Sequence, residues 1–123
     1  MNGSTVMVVD DDPISVHLLE IILERLGYQV IVAGSGADGL ALAADARPDA
    51  VIVDDMMPAM TGGEMCRTLK NDPDLQHIPV VLISAGTRVQ NSAYIKKVGA
   101  DYAIVKPLVS RDVGKVLQHL LSN

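Results

Sequence analysis

Five side chains carry the chemistry this sequence could do: Asp10, Asp11, Asp54, Ser84 and Lys106. Each closes or follows an apolar, β-branched run. TVMVVD leads into Asp10-Asp11, DAVIVD ends on Asp54, PVVLIS ends on Ser84 and YAIVK ends on Lys106. If those runs are parallel strands, their C-terminal ends share the sheet edge at which ligands bind. Carboxylates crowded there repel one another, and a divalent cation relieves the repulsion. All-oxygen ligation favours Mg²⁺ or a similarly hard ion. Mg²⁺ keeps several of its waters, so we assign Asp11 and Asp54 as direct ligands and Asp10 as a ligand through water. Asp54 is also the candidate nucleophile, since a carboxylate oxygen can take a phosphoryl group as an acyl phosphate. The charge of a transferring phosphoryl group is spread over its oxygens, so catalysis is positioning and neutralisation. Mg²⁺ and the Lys106 ammonium supply the neutralisation, and the Ser84 hydroxyl can add one hydrogen bond. Taken singly, each residue has a plainer reading: a helix-capping turn for Asp10-Asp11, a strand-terminal turn for Ser84, a solvated strand end for Lys106. None of these explains the joint order.

The elements that must position these residues alternate along the chain. Strands are predicted at Thr5–Val9, Gln29–Ala33, Ala50–Val53, Val80–Ile83 and Tyr102–Val105. All are continuously apolar, as expected of strands covered on both faces. The first helix starts at Asp12-Pro13, a cap followed by a residue suited to the first turn, and stops at Gly27. Its apolar stripe reads as Ile14, Leu18, Ile21, Ile22 and Leu26. Further helices are predicted over about Gly36–Ala46, Gly62–Asn71, Thr87–Val98 and Ser110–Leu121, with Gly99 closing the fourth. Strict alternation implies parallel pairing through right-handed crossovers. Five strands and five helices suit an α/β, doubly wound sheet of flavodoxin-like order 2-1-3-4-5, in which strands one and three are neighbours. Asp10, Asp11 and Asp54 then meet.

Composition narrows the classes. The chain has 123 residues, the size of one domain, and 49 % of them are hydrophobic. Phe and Trp are absent, so the core must come from Val, Ile, Leu, Ala and Met. A net charge of −5 with no Lys/Arg run argues against direct nucleic-acid binding. The one cysteine, Cys66, excludes an intramolecular disulfide and reads as a small core or surface residue in a reducing, cytoplasmic setting. No signal peptide is expected, and no run approaches the ~18 apolar residues of a membrane helix. His17, His77 and His119 lack partners at metal-ligand spacing.

The segments VVDDDP, VDDMMPAMTG, ISA and GADYAIVKP together resemble the receiver domain of two-component response regulators, and the resemblance spans essentially residues 1–123. It implies that Asp54, four residues before Pro58, is the phosphoacceptor, and that Asp55 and Asp12 fall at variable positions. It implies Mg²⁺ as cofactor, with the Met56 main-chain carbonyl as a further ligand, and a cis Lys106–Pro107 bond. The implied partners are a histidine kinase or a histidine phosphotransfer protein, an unspecified downstream effector, and in some cases a second phosphorylated copy. Residues 89–98, 102–105 and 109–120 would form the output face. One position departs from the family. The third residue before the lysine, often Tyr or Phe, is Ala103. Tyr102 points to the opposite face and cannot replace the ring. Switching is then expected to rest on Ser84 and the loop at Gly86-Thr87.

Three other readings compete. Gly34-Ser35-Gly36-Ala37-Asp38-Gly39 matches the dinucleotide pattern G-x-G-x-x-G, with an acid at Asp54. It follows the second strand, however, and leaves Asp10, Asp11, Ser84 and Lys106 without a role. Asp10 and Asp12 match the Asp-x-Asp spacing of aspartate-nucleophile phosphatases, but the threonine after the second aspartate and a cap domain are missing. An interaction module without phosphotransfer is the third, opposed by the complete acceptor set.

Overall fold

The computed structural model describes residues 3–86 and 90–121. Five strands, β1 (Thr5–Val9), β2 (Gln29–Ala33), β3 (Ala50–Asp54), β4 (Val80–Ser84) and β5 (Tyr102–Val105), pair in parallel in the order β2-β1-β3-β4-β5. Five helices connect them: α1 (Pro13–Arg25), α2 (Gly36–Ala46), α3 (Gly62–Lys70), α4 (Ser92–Val98) and α5 (Ser110–Leu121). Successive strand side chains face opposite ways, and the two faces build separate cores. Met7, Val9, Val51, Val53, Val80 and Leu82 pack with Ala43, Met65, Cys66, Leu69 and Val98 of α2, α3 and α4. Val6, Val8, Ala50, Ile52, Val81 and Ile83 pack with Leu19, Ile22, Leu23, Val113, Val116 and Leu117 of α1 and α5.

Helix starts follow their capping chemistry. Asp12, Ser35 and Asn91 cap α1, α2 and α4, and Thr61 with Glu64 forms a reciprocal capping box on α3. Gly99 takes a left-handed φ of 82° at the end of α4. The second half of the expected fourth helix is present, starting at Ser92; Thr87, Arg88 and Val89 lie outside the described residues. At the opposite end of the sheet from the acidic cluster, Lys70 Nζ donates to the Ile78 carbonyl at 2.8 Å and pairs with Asp101 Oδ2 at 2.8 Å. Asp101 Oδ2 also accepts from Val80 N at 2.8 Å, which ties the loop before β4 to the loop before β5.

Two expectations need correction. The predicted stripe of α1 is rotated. Leu19, Ile22 and Leu23 are buried, whereas Ile14 is 79 % and Leu18 47 % exposed, and Leu26 is also exposed. The helix carries apolar residues on more than one face, so two overlapping stripes satisfy a 3.6-residue period. The sheet takes only the one centred on Leu19, Ile22 and Leu23. Second, cover on both faces holds for β1, β3 and β4 but fails for the edges. Val32 on β2 and Tyr102 and Val105 on β5 are exposed, because an edge strand has one strand neighbour and the flanking helices cover it only in part.

Packing accounts for two of the three dinucleotide-like glycines, Gly36 and Gly39, while Gly34 stands in open space. A Cβ on Gly36 would lie 2.7 Å from Met60 Sδ, and one on Gly39 would lie 2.8 Å from Met65 Cε. Cys66 is fully buried in the core, and burial pushes its thiol up to about 12, which makes it unreactive. His17, His77 and His119 are exposed. Among the described residues no helix is long and apolar enough to cross a membrane.

Candidate functional site: an acidic cluster at the sheet edge

Neighbouring β1 and β3, in register at Val9↔Val53, deliver Asp10, Asp11 and Asp54 to one place. Each contributes a carboxylate oxygen, and the three oxygens lie within 4.8 Å of one another. Asp54 is the last residue of β3 and is 6 % exposed. Its Oδ1 accepts from Met56 N at 3.1 Å, and its Oδ2 accepts from Lys106 Nζ at 3.4 Å. Lys106 follows β5 and reaches across β4 to make that pair; its peptide bond to Pro107 is cis. Ser84 ends β4, is buried, and its Oγ accepts from Gly86 N at 2.9 Å, leaving its proton free to donate. Met56 lies in the loop after β3 with its side chain exposed. Thr87, expected to share the switching loop with Gly86, lies outside the described residues.

The electrostatics of the cluster favour a bound cation. Asp10 is buried; its Oδ1 accepts from Asp12 N at 3.0 Å, but its Oδ2 is buried with no hydrogen-bond partner. Burial, with the charges of Asp54 and Asp11 adding to it, raises the Asp10 carboxyl to about 6 against the opposing pull of Asp12 N–H and Lys106. An orphaned, buried carboxylate oxygen beside two further carboxylates suits a hard divalent ion, so these residues fit Mg²⁺. Asp12 plays another part. It is fully exposed, and its carboxylate accepts from Ser15 Oγ at 2.9 Å and Ile14 N at 3.1 Å, bonds that lower its pKa. Its carboxylate caps α1, and what it gives the cluster is its main-chain N–H on Asp10 Oδ1.

The raised Asp10 carboxyl gives a stability prediction for the metal-free protein. Between the unfolded value of 3.8 and the folded value of about 6, the folded state holds a proton that the unfolded chain releases. This contribution is therefore intact below about pH 4 and is lost as pH rises to about 6. Asp10→Asn keeps an acceptor for Asp12 N and removes the titration. Urea unfolding in EDTA should show the variant more stable than the parent near neutral pH, with the gap closing near pH 4. An equal gap at both pH values would contradict the assignment.

Two residues with a place beside the site had no signal of their own in the sequence. Asp55 reads as a variable neighbour of Asp54, yet it is fully buried. Its Oδ1 accepts from Gly63 N at 2.9 Å and from the Tyr94 hydroxyl of α4 at 2.8 Å. Strand parity explains the split: Asp54 continues the Ala50–Ile52 face toward α1 and α5, and Asp55 continues the Val51–Val53 face toward α2, α3 and α4. Ala103 packs against the α2–α4 core, while Tyr102 lies on the α5 side beside Asp112 and Lys115. Tyr94 packs against the same core as Ala103.

A family model described as the response regulator receiver domain matches residues 6–118. Protein PilH of Pseudomonas aeruginosa is 32 % identical over 117 residues, covering 95 % of this chain and 97 % of PilH. Response regulator PleD of Caulobacter vibrioides is 43 % identical over 110 residues, covering 86 % of this chain and 23 % of PleD. The solved structure of the chemotaxis response regulator CheY4 of Vibrio cholerae matches with a TM-score of 0.88 at 31 % identity, covering 98 % of this chain and 100 % of CheY4.

Proposed function

This chain belongs to the response regulator receiver domain family, and on that premise we propose that it is a phosphorylation-driven switch whose acceptor is Asp54. The donor is the phosphohistidine of a histidine kinase or a histidine phosphotransfer protein. An Asp54 carboxylate oxygen attacks phosphorus, the P–N bond breaks, and its electron pair returns to the imidazole. The product is an acyl phosphate on Asp54, which water later hydrolyses to phosphate and the free carboxylate. The observation that carries this reading is the convergence of three carboxylate oxygens within 4.8 Å, with Lys106 Nζ on the same Asp54. Asp10, Asp11, Asp54 and the Met56 carbonyl would hold Mg²⁺, which supplies charge neutralisation at the phosphoryl oxygens. Lys106 moves from a carboxylate oxygen to a phosphoryl oxygen, and Ser84 donates its hydroxyl proton to another.

The role is that of a signalling switch, not of an enzyme that turns over a separate substrate. Acyl-phosphate formation biases the α4–β5–α5 face, where Tyr102, Val105 and Val109 are exposed, between two states read by an effector or a second copy. The phosphatase alternative requires Asp12 as a working acid, and its oxygens are engaged in capping α1. Incubation with acetyl phosphate and Mg²⁺, followed by intact-mass analysis, tests the reading. One added phosphoryl group, absent when EDTA replaces Mg²⁺, is expected. A chain that gains no phosphoryl group from acetyl phosphate or from any phosphorylated histidine donor would be an interaction module instead.

A further inference from the structure

The hydrogen bond between Tyr94 and Asp55 lies outside the acceptor chemistry, and its surroundings give it a task. Asp55 is where three elements are tied to the acceptor loop. Its N–H donates to the Ile83 carbonyl of β4 at 2.9 Å, and its own carbonyl accepts from Met57 N and Gly62 N, both at 3.1 Å. Its carboxylate accepts from Gly63 N of α3 and from the Tyr94 hydroxyl of α4. Asp54 is its covalent neighbour, so a displacement of the loop at Asp54 moves Asp55.

The path from Asp55 to α4 is short and built for this contact. The Tyr94 ring crosses α3 at Gly63, where a methyl group would collide with the hydroxyl. Tyr94 N donates to Asn91 Oδ1 at 3.2 Å, so the residue that touches Asp55 also belongs to the N-terminal cap of α4. With seven residues, α4 is too short to hold its position without tertiary contacts. On β5 the side chain facing the same core is Ala103, too small to take part in a ring-based coupling.

We propose that Tyr94 is a positioning residue that couples the phosphoacceptor loop to α4 through its hydrogen bond to Asp55, so that occupancy at Asp54 and the placement of α4 depend on each other. This deepens the switch reading above and rests on it. Coupling of this kind is reciprocal: what Asp54 occupancy does to α4, the state of α4 does to occupancy.

Beryllium fluoride with Mg²⁺, a mimic of the acyl phosphate, is the probe. Amide ¹H–¹⁵N shifts of Ser92–Val98 and the apparent affinity for the mimic are compared in the parent, in Tyr94→Phe and in Gly63→Ala. Tyr94→Phe removes one oxygen, and Gly63→Ala displaces the hydroxyl from its seat. The expected result is that the mimic shifts the α4 amides of the parent, that both variants bind it with an affinity altered about fivefold or more, and that their α4 shifts largely disappear. Variants that lose thermal stability yet match the parent in affinity and in α4 response would overturn the coupling role and leave the switch reading standing. A parent that binds no mimic would overturn both.

Discussion

Asp54→Asn should leave the fold intact and abolish phosphoryl incorporation from acetyl phosphate. Asparagine fills nearly the same volume and can still accept from Met56 N, which donates to Asp54 Oδ1 at 3.1 Å. What it lacks is an anionic oxygen able to form the new bond to phosphorus. It also removes one of the three clustered carboxylates, so Mg²⁺ affinity falls with it. The informative control is the adjacent residue. Asp55 faces the opposite side of the sheet, so Asp55→Asn, whose amide oxygen can still accept from Gly63 N and the Tyr94 hydroxyl, should retain incorporation at Asp54. Intact mass and peptide mapping after acetyl phosphate treatment separate these outcomes. Incorporation that survives Asp54→Asn at the parent's rate, or that maps to Asp10, would remove Asp54 from the acceptor role and revive the phosphatase alternative.

Lys106→Met should slow acyl-phosphate formation by about 10²-fold, the scale of losing one preorganised charge at a developing transition state. Methionine preserves much of the aliphatic stem, so the packing loss is small. The same variant gives an opposite-signed result on metal. Lys106 is the cation paired with Asp54, and deleting it makes the cluster more negative. Mg²⁺ affinity should therefore hold or rise, where Asp11→Asn should lower it. Rates from acetyl phosphate, with Mg²⁺ titrated separately, check both signs. A rate within a few-fold of the parent would place Lys106 away from the transferring group, and a parallel loss of Mg²⁺ binding would show that the variant had disturbed the cluster itself.

Much of this architecture was legible because its signals are local. A short apolar, β-branched run bounded by Asp, Pro or Gly marks a strand, though not whether that strand lies at the centre or the edge of the sheet. The start of α1 was equally readable, since Asp12 caps its own first turn through bonds only two and three residues long, whereas α4 starts later than expected, behind an extended Asn91. Alternation implied parallel pairing, and five strands with five helices suited the order 2-1-3-4-5, which puts the first and third strand ends side by side. That is why Asp10, Asp11 and Asp54 could be grouped although more than forty positions separate them.

The element order and the sheet edge at which the acidic, hydroxyl and ammonium groups gather were thus readable from the residues alone. How those elements use their faces depended on the folded chain. It chose the Leu19–Leu23 stripe of α1 over the equally periodic one through Ile14 and Leu18. It left β2 and β5 partly bare as edges, and it gave Asp55 a partner 39 positions away in Tyr94. The physical reason is common to all three. Periodicity and capping act through the chain within a few residues, whereas the choice of buried face and the seating of a hydroxyl on a buried carboxylate depend on which distant surface arrives, and on whether a residue as small as Gly63 leaves room for it.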